Sequence, residues 1–564
     1  MLARQWMSLR WVMALLSLVY AGAVLYVLPF ATNDGPVHMS FGRMLGALPE
    51  AGTLQAQHYE RNGALHPNLA VYGLIAVLLR AMGPEAAEAV VQLVCLLGPV
   101  GGMAALVWQF QRRHAWVALF AFPLGLHQLF FLGLYNYCLS VAGFLLSMAA
   151  LLWMQKRPGA WRTAAPISAL YVTYFSHAAG FLAAVLALAA MTALSLAAAW
   201  RTGRTGLGQA LHSHARHVAV LLSPLPLVVL GALTSSGASV AGLAFGAPLG
   251  QRLKSFATLS PLNLQHTPMD RYLAPALAAA ILASVGLLAL RCVRAWPARR
   301  VTGPAAKRGV PRSQSALTLF VALLALALAF PDTMGGGWTH FRRMQMFPYF
   351  AGLLCMACLR PPSRVRRALA GLAVAASLAL IAGGTWRQHR IKQQLAPMAE
   401  VERLVGRHCT VLPLVLDEAG AWADGMASPP KYHPFFQAAT RLELGGDRVV
   451  LFNYLARLKV YPVQFRPGKD TQALLFHWLP QQQAMAVERV DIAGYEQVSG
   501  QAVDYVLQWG PLTSATATLR AEVRRATAGY VPVYAAPGAA VTLYRRAARP
   551  GAEPRTRCTV AAAL

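Results

Sequence analysis

The sequence predicts a polytopic α-helical membrane protein of about 11 to 13 spans that ends in an α/β domain outside the membrane. Of its 564 residues, 56% are hydrophobic and only 13% are charged, and the mean hydropathy is +0.44. Soluble globular proteins carry about 25% charged residues. This composition therefore excludes an ordinary soluble enzyme, a disordered chain and a fibrous protein. The other two observations are a series of long apolar runs and an uneven distribution of acidic residues.

The chain is strongly basic. Its 50 basic and 21 acidic residues give a formal charge of +29. In a soluble protein such a balance indicates nucleic acid as a partner. In a membrane protein it is expected of cytoplasmic loops, which face anionic lipid. We therefore expect the lipid bilayer as a partner and no nucleic acid.

The first apolar run, residues 11–30, is preceded by Arg4 and Arg10. A spanning helix needs about 20 apolar residues, whereas the apolar core of a signal peptide has about 7 to 15. The run is thus predicted to be an uncleaved spanning helix. Further runs follow at 68–82, 88–110, 115–131, 133–154, 164–200 (counted as two), 216–233, 271–290, 314–330, 344–359 and 368–385.

Basic clusters set the predicted orientation. One lies between Arg291 and Arg312 and another between Arg360 and Arg367, and both should be cytoplasmic. Alternation of the spans then places residues 386–564 outside, together with the first loop, residues 31–67. For the spans to alternate in this way, one run between residues 68 and 200 must be re-entrant, split or absent.

Acidic residues separate the two parts of the chain. Residues 1–385 contain seven, and residues 386–564 contain the other fourteen. The second part, about 180 residues long, has the usual size of one domain. Apolar runs near 409–416, 503–508, 529–534 and 540–544 read as strands, and 519–526 has helical spacing. The sequence therefore predicts a multi-spanning domain at 1–385 and a mixed α/β domain at 386–564.

Two of the seven cysteines, Cys409 and Cys558, lie in the predicted outside domain. An oxidising compartment would allow a disulfide between them, but two separate buried thiols are equally compatible with their spacing. The other five lie in or beside apolar runs. Among these, Cys355 and Cys358 resemble a CxxC pair, but no second pair or nearby His completes a zinc site.

The strongest candidate for chemistry is Asp34, in the segment Asn33 to His38 directly after the first span. Its carboxylate could cap the following amphipathic helix, or it could accept a proton from a substrate hydroxyl. His38, one helical turn later, could orient Asp34 or bind phosphate, or could simply lie at the membrane interface. Glu60, in the polar segment 57–62, could line an acceptor cleft or belong to a solvated loop.

A second candidate region extends from Asp332 to Arg343. Alternation of the spans places this region outside the membrane, where Arg342 and Arg343 depart from the usual enrichment of basic residues on the cytoplasmic side. Paired arginines suit a lipid-linked phosphate, and His340 could join them; the alternative is snorkelling at the interface. His177 lies within an apolar run, where ionisable groups are functional candidates by default.

These features resemble the GT-C glycosyltransferases, multi-spanning enzymes that take a sugar from a polyprenyl-phosphate carrier. An acidic residue in the first outside loop is the hallmark of that group, and many members end in an α/β domain outside the membrane. Shorter strings that fit it are His66 to Asn68, Phe131 to Tyr137, Ser176 to Gly180, Asp504 to Leu507 and Leu543 to Arg546. The resemblance implies that Asp34 is the catalytic base and that basic residues at the outer face hold the carrier phosphate.

The chain departs from that family in one respect. Many members show two acidic residues close together in this loop, whereas here Asp34 stands beside Asn33, and the next acids are Glu50 and Glu60. A single carboxylate makes a poor site for Mg²⁺ or Mn²⁺. No cofactor is therefore expected, and a divalent metal is possible but unsupported. Nucleotide-binding, metalloprotease and serine hydrolase motifs are absent from the sequence.

Three functions remain open from the sequence. The first is transfer of a sugar from a polyprenyl phosphate to a glycan, lipid or protein acceptor at the outer face of a bacterial inner membrane. The second is a lipid-carrier ligase or polymerase. The third is a transporter or assembly factor without enzymatic activity. The acidic residues of the membrane part cluster at the predicted outer face, which favours surface chemistry over a path through the bilayer.

Overall fold

The computed structural model describes residues 2–48, 52–65, 67–157, 159–201, 208, 212, 214–234, 244–264, 267–295, 310–333, 339–418, 420, 432–478, 487–547 and 558–559. Its helices are α1 Leu2–Val27, α2 Gly35–Ala47, α3 Leu54–His58, α4 Ala70–Ala81, α5 Pro84–Gln111, α6 Ala121–Gly125, α7 Gln128–Phe131, α8 Tyr135–Lys156, α9 Ala160–Ser176, α10 Ala178–Arg201, α11 Ala215–Leu222, α12 Leu225–Thr234, α13 Leu249–Ala257, α14 Asp270–Arg294, α15 Arg312–Ala329, α16 His340–Cys358, α17 Ser363–Leu395, α18 Pro397–Leu404, α19 Thr471–Leu474, α20 Ile492–Ser499 and α21 Ala517–Thr527.

Helical structure occurs in every apolar run that was predicted to lie in the membrane. Eight described segments are long and apolar enough to cross a membrane: Leu9–Val27, Pro84–Gly125, Tyr135–Lys156, Ala178–Trp200, Ala215–Leu233, Asp270–Arg294, Arg312–Ala329 and Ser363–Leu404. The helices α4, α9 and α16 fill the remaining predicted runs. The run at 115–131 is irregular, because a 3₁₀ helix, Arg112–Phe120, follows a break at Gln111 and precedes the short helices α6 and α7. The protein is therefore a multi-pass membrane protein.

The strands lie almost entirely in the C-terminal third of the chain. They are β1 Tyr59–Arg61, β2 Thr410–Val415, β3 Val449–Val450, β4 Val463–Phe465, β5 Phe476–Trp478, β6 Val487–Val490, β7 Tyr505–Trp509, β8 Tyr530–Ala535 and β9 Val541–Arg546. A five-stranded sheet has the order β3-β2-β7-β9-β8. In it β2 is parallel to β3 and β7, and β9 is antiparallel to β7 and β8.

This sheet confirms the mixed α/β fold expected of the C-terminal region. The apolar strands β2 and β7 are buried, as near-continuous hydrophobic runs predict for central strands. The edge strand β8 is partly exposed and contains Pro532, a residue that sheets tolerate at their edges. The helix α21 also lies where the helical spacing of 519–526 predicted it.

The first loop is joined directly to the C-terminal region. Its strand β1 pairs antiparallel with β4, so that Tyr59 lies opposite Phe465. At the start of α3, the backbone N–H groups of Leu54 and Gln55 donate to the carboxylate of Asp447 at 2.7 and 3.0 Å. The loop that carries the candidate base is therefore packed against residues about 400 positions later in the chain.

Candidate active site

Asp34 lies in a buried loop, residues 30–34, between α1 and α2. The side chain of Gln92 accepts from the N–H of Phe30 at 3.0 Å and donates to its carbonyl at 2.8 Å. Gln388 does the same for Ala31, at 2.7 and 3.1 Å. Because unpaired backbone groups are costly in an apolar environment, these two glutamines make a buried, non-helical backbone possible here.

A second contact fixes the backbone of Asp34. Its N–H donates to the carbonyl of Leu132 at 3.2 Å. Gly133 has a φ of +77°, and a Cβ there would lie 2.6 Å from the nitrogen of Gly35. Only glycine combines this backbone conformation with so close an approach, so Gly133 allows the segment before α8 to lie directly against Asp34.

The carboxylate of Asp34 does not cap α2. Although Asp34 occupies the N-cap position, its side chain makes no capping hydrogen bond. Instead its Oδ1 accepts from the phenol of Tyr454 at 2.9 Å. Burial raises the pKa of the Asp34 carboxyl to about 7, and Tyr454 and Arg343 partly oppose this shift. A carboxylate with such a pKa can accept a proton near neutral pH.

Arg343, in the first turn of α16, is the cation that acts on Asp34. Its NH1 lies 2.9 Å from Nε2 of His177, and its carbonyl accepts from the phenol of Tyr137 at 2.7 Å. His177 occupies the extended break between α9 and α10, with a φ of −167°. The break turns its imidazole toward Arg343, so the structure brings together Asp34, Arg343 and His177.

The neighbouring residue Arg342 lies on another side of α16, since successive residues of a helix are about 100° apart. His340 lies one turn before Arg343 on the same side, and its charge also acts on His177. Arg342 donates to the amide oxygen of Gln128. The N–H of His340 donates to the carbonyl of Asp332 at 3.1 Å. The two candidate arginines therefore have different surroundings, and Arg343 is the one whose charge acts on Asp34. Residues 334–338 of the candidate region Asp332 to Arg343 lie outside the described residues.

His38 has surroundings different from those the sequence suggested. Its Nδ1 lies 2.7 Å from the phenol oxygen of Tyr72, and burial lowers its pKa to about 3. The imidazole is thus neutral and provides no positive charge for a phosphate. Its imidazole pairs with Tyr72, whereas the carboxylate of Asp34 accepts from Tyr454, so Tyr454 and not His38 is the group that orients the carboxylate.

Glu60 is half-buried on β1, opposite Gln464 of β4. The structure therefore places Glu60 in the contact between the first loop and the C-terminal region.

Three tyrosines near Asp34 were not identified from the sequence. Tyr454 is its hydrogen-bond donor, and the phenols of Tyr72 and Tyr461 interact with its charge. The ring of Tyr461 lies 6.3 Å from that of His38. Tyr454 and Tyr461 come from the C-terminal region, more than 400 residues after Asp34, and no local spacing in the sequence indicates this approach.

A buried ion pair lies beneath the start of α2. Glu88 of α5 is fully buried; it accepts from Arg441 at 2.8 Å and from the phenol of Tyr135 at 2.8 Å. A Cβ added at Gly35 would lie 2.5 Å from its Oε1. Because Arg441 lies in a 3₁₀ helix of the C-terminal region, Ala438–Leu444, the pair joins that region to a spanning helix immediately behind Asp34.

Cys409 and Cys558 form a disulfide bond, one of the two alternatives that their spacing left open. Asp504 lies beside them, and these three residues are grouped closely enough to suggest a metal site in the described part of the chain. Disulfide sulfurs are not thiolate ligands, however, so this group does not fit a metal ion.

Two solved structures share the fold of this chain. The structure of ArnT from Cupriavidus metallidurans in the apo state has a TM-score of 0.52 and 13% sequence identity, covering 96% of this chain and 98% of that chain. ArnT from the same organism bound to undecaprenyl phosphate has a TM-score of 0.51 at 12% identity, with the same coverage. No family model and no curated protein matches the sequence. The resemblance to GT-C enzymes is confirmed at the level of the fold.

The Glu88–Arg441 pair predicts strongly coupled effects on stability. Glu88→Gln or Arg441→Met should each lower the free energy of unfolding by about 3 kcal/mol, because each leaves an uncompensated buried charge. The double variant should lose much less than the sum, since neither charge remains. Unfolding of the purified protein in detergent, analysed as a double-mutant cycle, measures this. Simple additivity of the two losses would contradict the assigned pair.

Proposed function

We propose that this protein transfers a sugar from a polyprenyl-phosphate carrier to an acceptor hydroxyl at the membrane surface. The observation that carries the proposal is the buried Asp34 carboxylate, with a pKa of about 7, a hydrogen bond from Tyr454 and the charge of Arg343 nearby. The shared fold supports it, since one of the two ArnT structures is bound to undecaprenyl phosphate.

Asp34 is the general base in this mechanism. Its carboxylate accepts the proton of the acceptor hydroxyl as the oxygen attacks the anomeric carbon of the carrier-linked sugar. A base works best when its pKa lies near the working pH, and burial of Asp34 produces that condition. Tyr454 orients the carboxylate by donating to one oxygen, which leaves the other for the acceptor.

Arg343 stabilises the leaving group. As the new glycosidic bond forms, the bond between the anomeric carbon and the phosphate oxygen breaks, and the carrier phosphate departs with an additional negative charge. A guanidinium aimed at developing charge lowers the barrier electrostatically and binds phosphate bidentately. His177, which contacts Arg343, positions it. We assign Arg342 and His340 to the carrier further along the same face of the membrane, and Glu60 to the acceptor side.

The proposed reaction uses no metal. Divalent cations such as Mg²⁺ prefer sites with several oxygen ligands and carboxylates. Asp34 is instead accompanied by a guanidinium and phenols, and Arg343 already reduces the local negative charge. This set of side chains suits a phosphate-bearing substrate better than a cation.

We further propose that the protein lies in a bacterial inner membrane with the C-terminal domain, residues 386–564, and the loop 31–67 outside. The disulfide between Cys409 and Cys558 supports this placement, because disulfides persist in oxidising compartments. The extensive contacts between the loop and the C-terminal region also require both to lie on one side of the membrane. The acceptor, whether glycan, lipid or protein, is left open.

The replacement Asp34→Asn should reduce sugar transfer by about 10²-fold or more, since it removes the base. Turnover of a radiolabelled polyprenyl-phosphate sugar by the purified protein in detergent measures the effect. Asp504→Asn, which alters another buried carboxyl with a raised pKa, is the matched control and should retain activity. Equal turnover by wild type and Asp34→Asn would exclude Asp34 as the base. No turnover by wild type with several carriers would favour a transporter or assembly factor.

The pH dependence tests the role of Tyr454. Wild-type activity should fall as the pH drops below about 7, because protonated Asp34 cannot accept a proton. The phenol of Tyr454 stabilises the carboxylate and so lowers its pKa. Tyr454→Phe should therefore move the acid limb of the kcat/KM profile to higher pH.

Tyr534→Phe, on the edge strand β8, is the matched control and should leave the profile unchanged. An acid limb that stays in place for Tyr454→Phe, or that moves equally in the control, would contradict the assigned contact between Tyr454 and Asp34.

A further inference from the structure

The membrane face opposite Asp34 carries a convergence of positive charge. α5 begins beside Asp34 and extends 28 residues, which is about 40 Å along its axis. At its far end the guanidinium of Arg112 lies 3.8 Å from the ring centroid of Trp108. Arg10 of α1 lies 5.9 Å from the same ring. Cations from two elements thus share one aromatic side chain.

Cations from other elements join them. NH1 of Arg312, at the start of α15, donates to the side chain of Gln111 at 3.0 Å. Lys156, at the end of α8, donates to Gln109 at 2.8 Å. The charges of Lys156 and Arg312 also interact with each other.

A third group surrounds His114 in the 3₁₀ helix that follows α5. Both α16 and α17 pack against this 3₁₀ helix, and the charges of Arg113, Arg360 and Arg366 all act on the histidine. Arg360 lies in the turn after α16, and Arg366 lies in the first turn of α17. We call the seven cations of these elements the basic cluster: Arg10, Arg112, Arg113, Lys156, Arg312, Arg360 and Arg366.

The segments that form the basic cluster supply no counter-charge. The sequence contains no Asp or Glu at residues 89–269, 271–331 or 333–399. Like charges gathered at one end of the helices repel one another, so an anion bound from outside these segments would stabilise the cluster. The cluster lies at the ends of spanning helices and includes contacts with Trp108. Tryptophan is enriched where spanning helices meet the lipid headgroups, so the cluster lies at the level of the headgroups.

We propose that the basic cluster is a binding site for the phosphate of an anionic glycerophospholipid. The guanidinium groups of Arg113, Arg360 and Arg366 come from separate segments that meet around His114, which suits several hydrogen bonds to one phosphate. The lipid then bridges the 3₁₀ helix after α5 and the turn between α16 and α17. The site is independent of the proposed sugar transfer.

The test compares two triple variants with equal loss of charge. One is Arg113→Gln/Arg360→Gln/Arg366→Gln. The control is Arg489→Gln/Arg524→Gln/Arg545→Gln, three exposed arginines of the C-terminal region. Native mass spectrometry of the protein in neutral detergent counts bound phosphatidylglycerol, with phosphatidylcholine and inorganic phosphate as alternative ligands. Circular dichroism confirms that each variant remains folded.

Affinity for phosphatidylglycerol should fall about tenfold or more in the first variant and remain near the wild-type value in the control. Phosphatidylcholine should bind equally weakly to all three proteins. Equal losses in both triple variants would overturn the site, because they would show non-specific charge attraction. Inorganic phosphate binding as tightly as phosphatidylglycerol would also overturn it in favour of a soluble anion.

Discussion

A buried, non-helical loop in a membrane protein must obtain its hydrogen bonds from elsewhere in the chain, and the candidate site depends on how residues 30–34 do so. Gln92 and Gln388 each pair with both backbone groups of one residue. The phenol of Tyr432 donates to the carbonyl of Ala31 as well, at 2.9 Å. These contacts hold the backbone in one arrangement, because any shift would leave buried polar groups unpaired. The position of Asp34 is therefore determined by residues remote in sequence.

The burial that fixes the position of Asp34 also sets the pKa of its carboxyl group. Removing the carboxyl from water raises its pKa to about 7, while Tyr454 and Arg343 keep it ionisable near neutral pH. Because the folded pKa lies above the unfolded one, folding stability falls as the pH rises from the unfolded pKa toward about 7, and it stays at the lower level above that pH. The Glu88–Arg441 pair and the contacts of β1 with β4 hold the C-terminal region against the loop. The site is thus shared by both parts of the chain.

The sequence was informative where local chemistry decides structure. Apolar runs identified the helices, and the strands β2, β7 and β9 followed from short apolar segments. Asp34 stood out because few acidic residues occur in the membrane part. Tyr454 and the charge state of His38 could not be predicted, because they depend on tertiary burial. The separate surroundings of Arg342 and Arg343 follow from the 100° helical step, but which one meets Asp34 depends on the packing of α16.

The most direct test of this account is a structure of the protein with an unreactive polyprenyl-phosphate sugar analogue. The phosphate should lie within about 3 Å of the Arg343 guanidinium, the distance of a charge-assisted hydrogen bond. The anomeric carbon should then face the Asp34 oxygen that Tyr454 leaves free, with residues 30–34 unchanged. An analogue whose phosphate binds away from Arg343, or whose sugar cannot approach Asp34, would contradict the account.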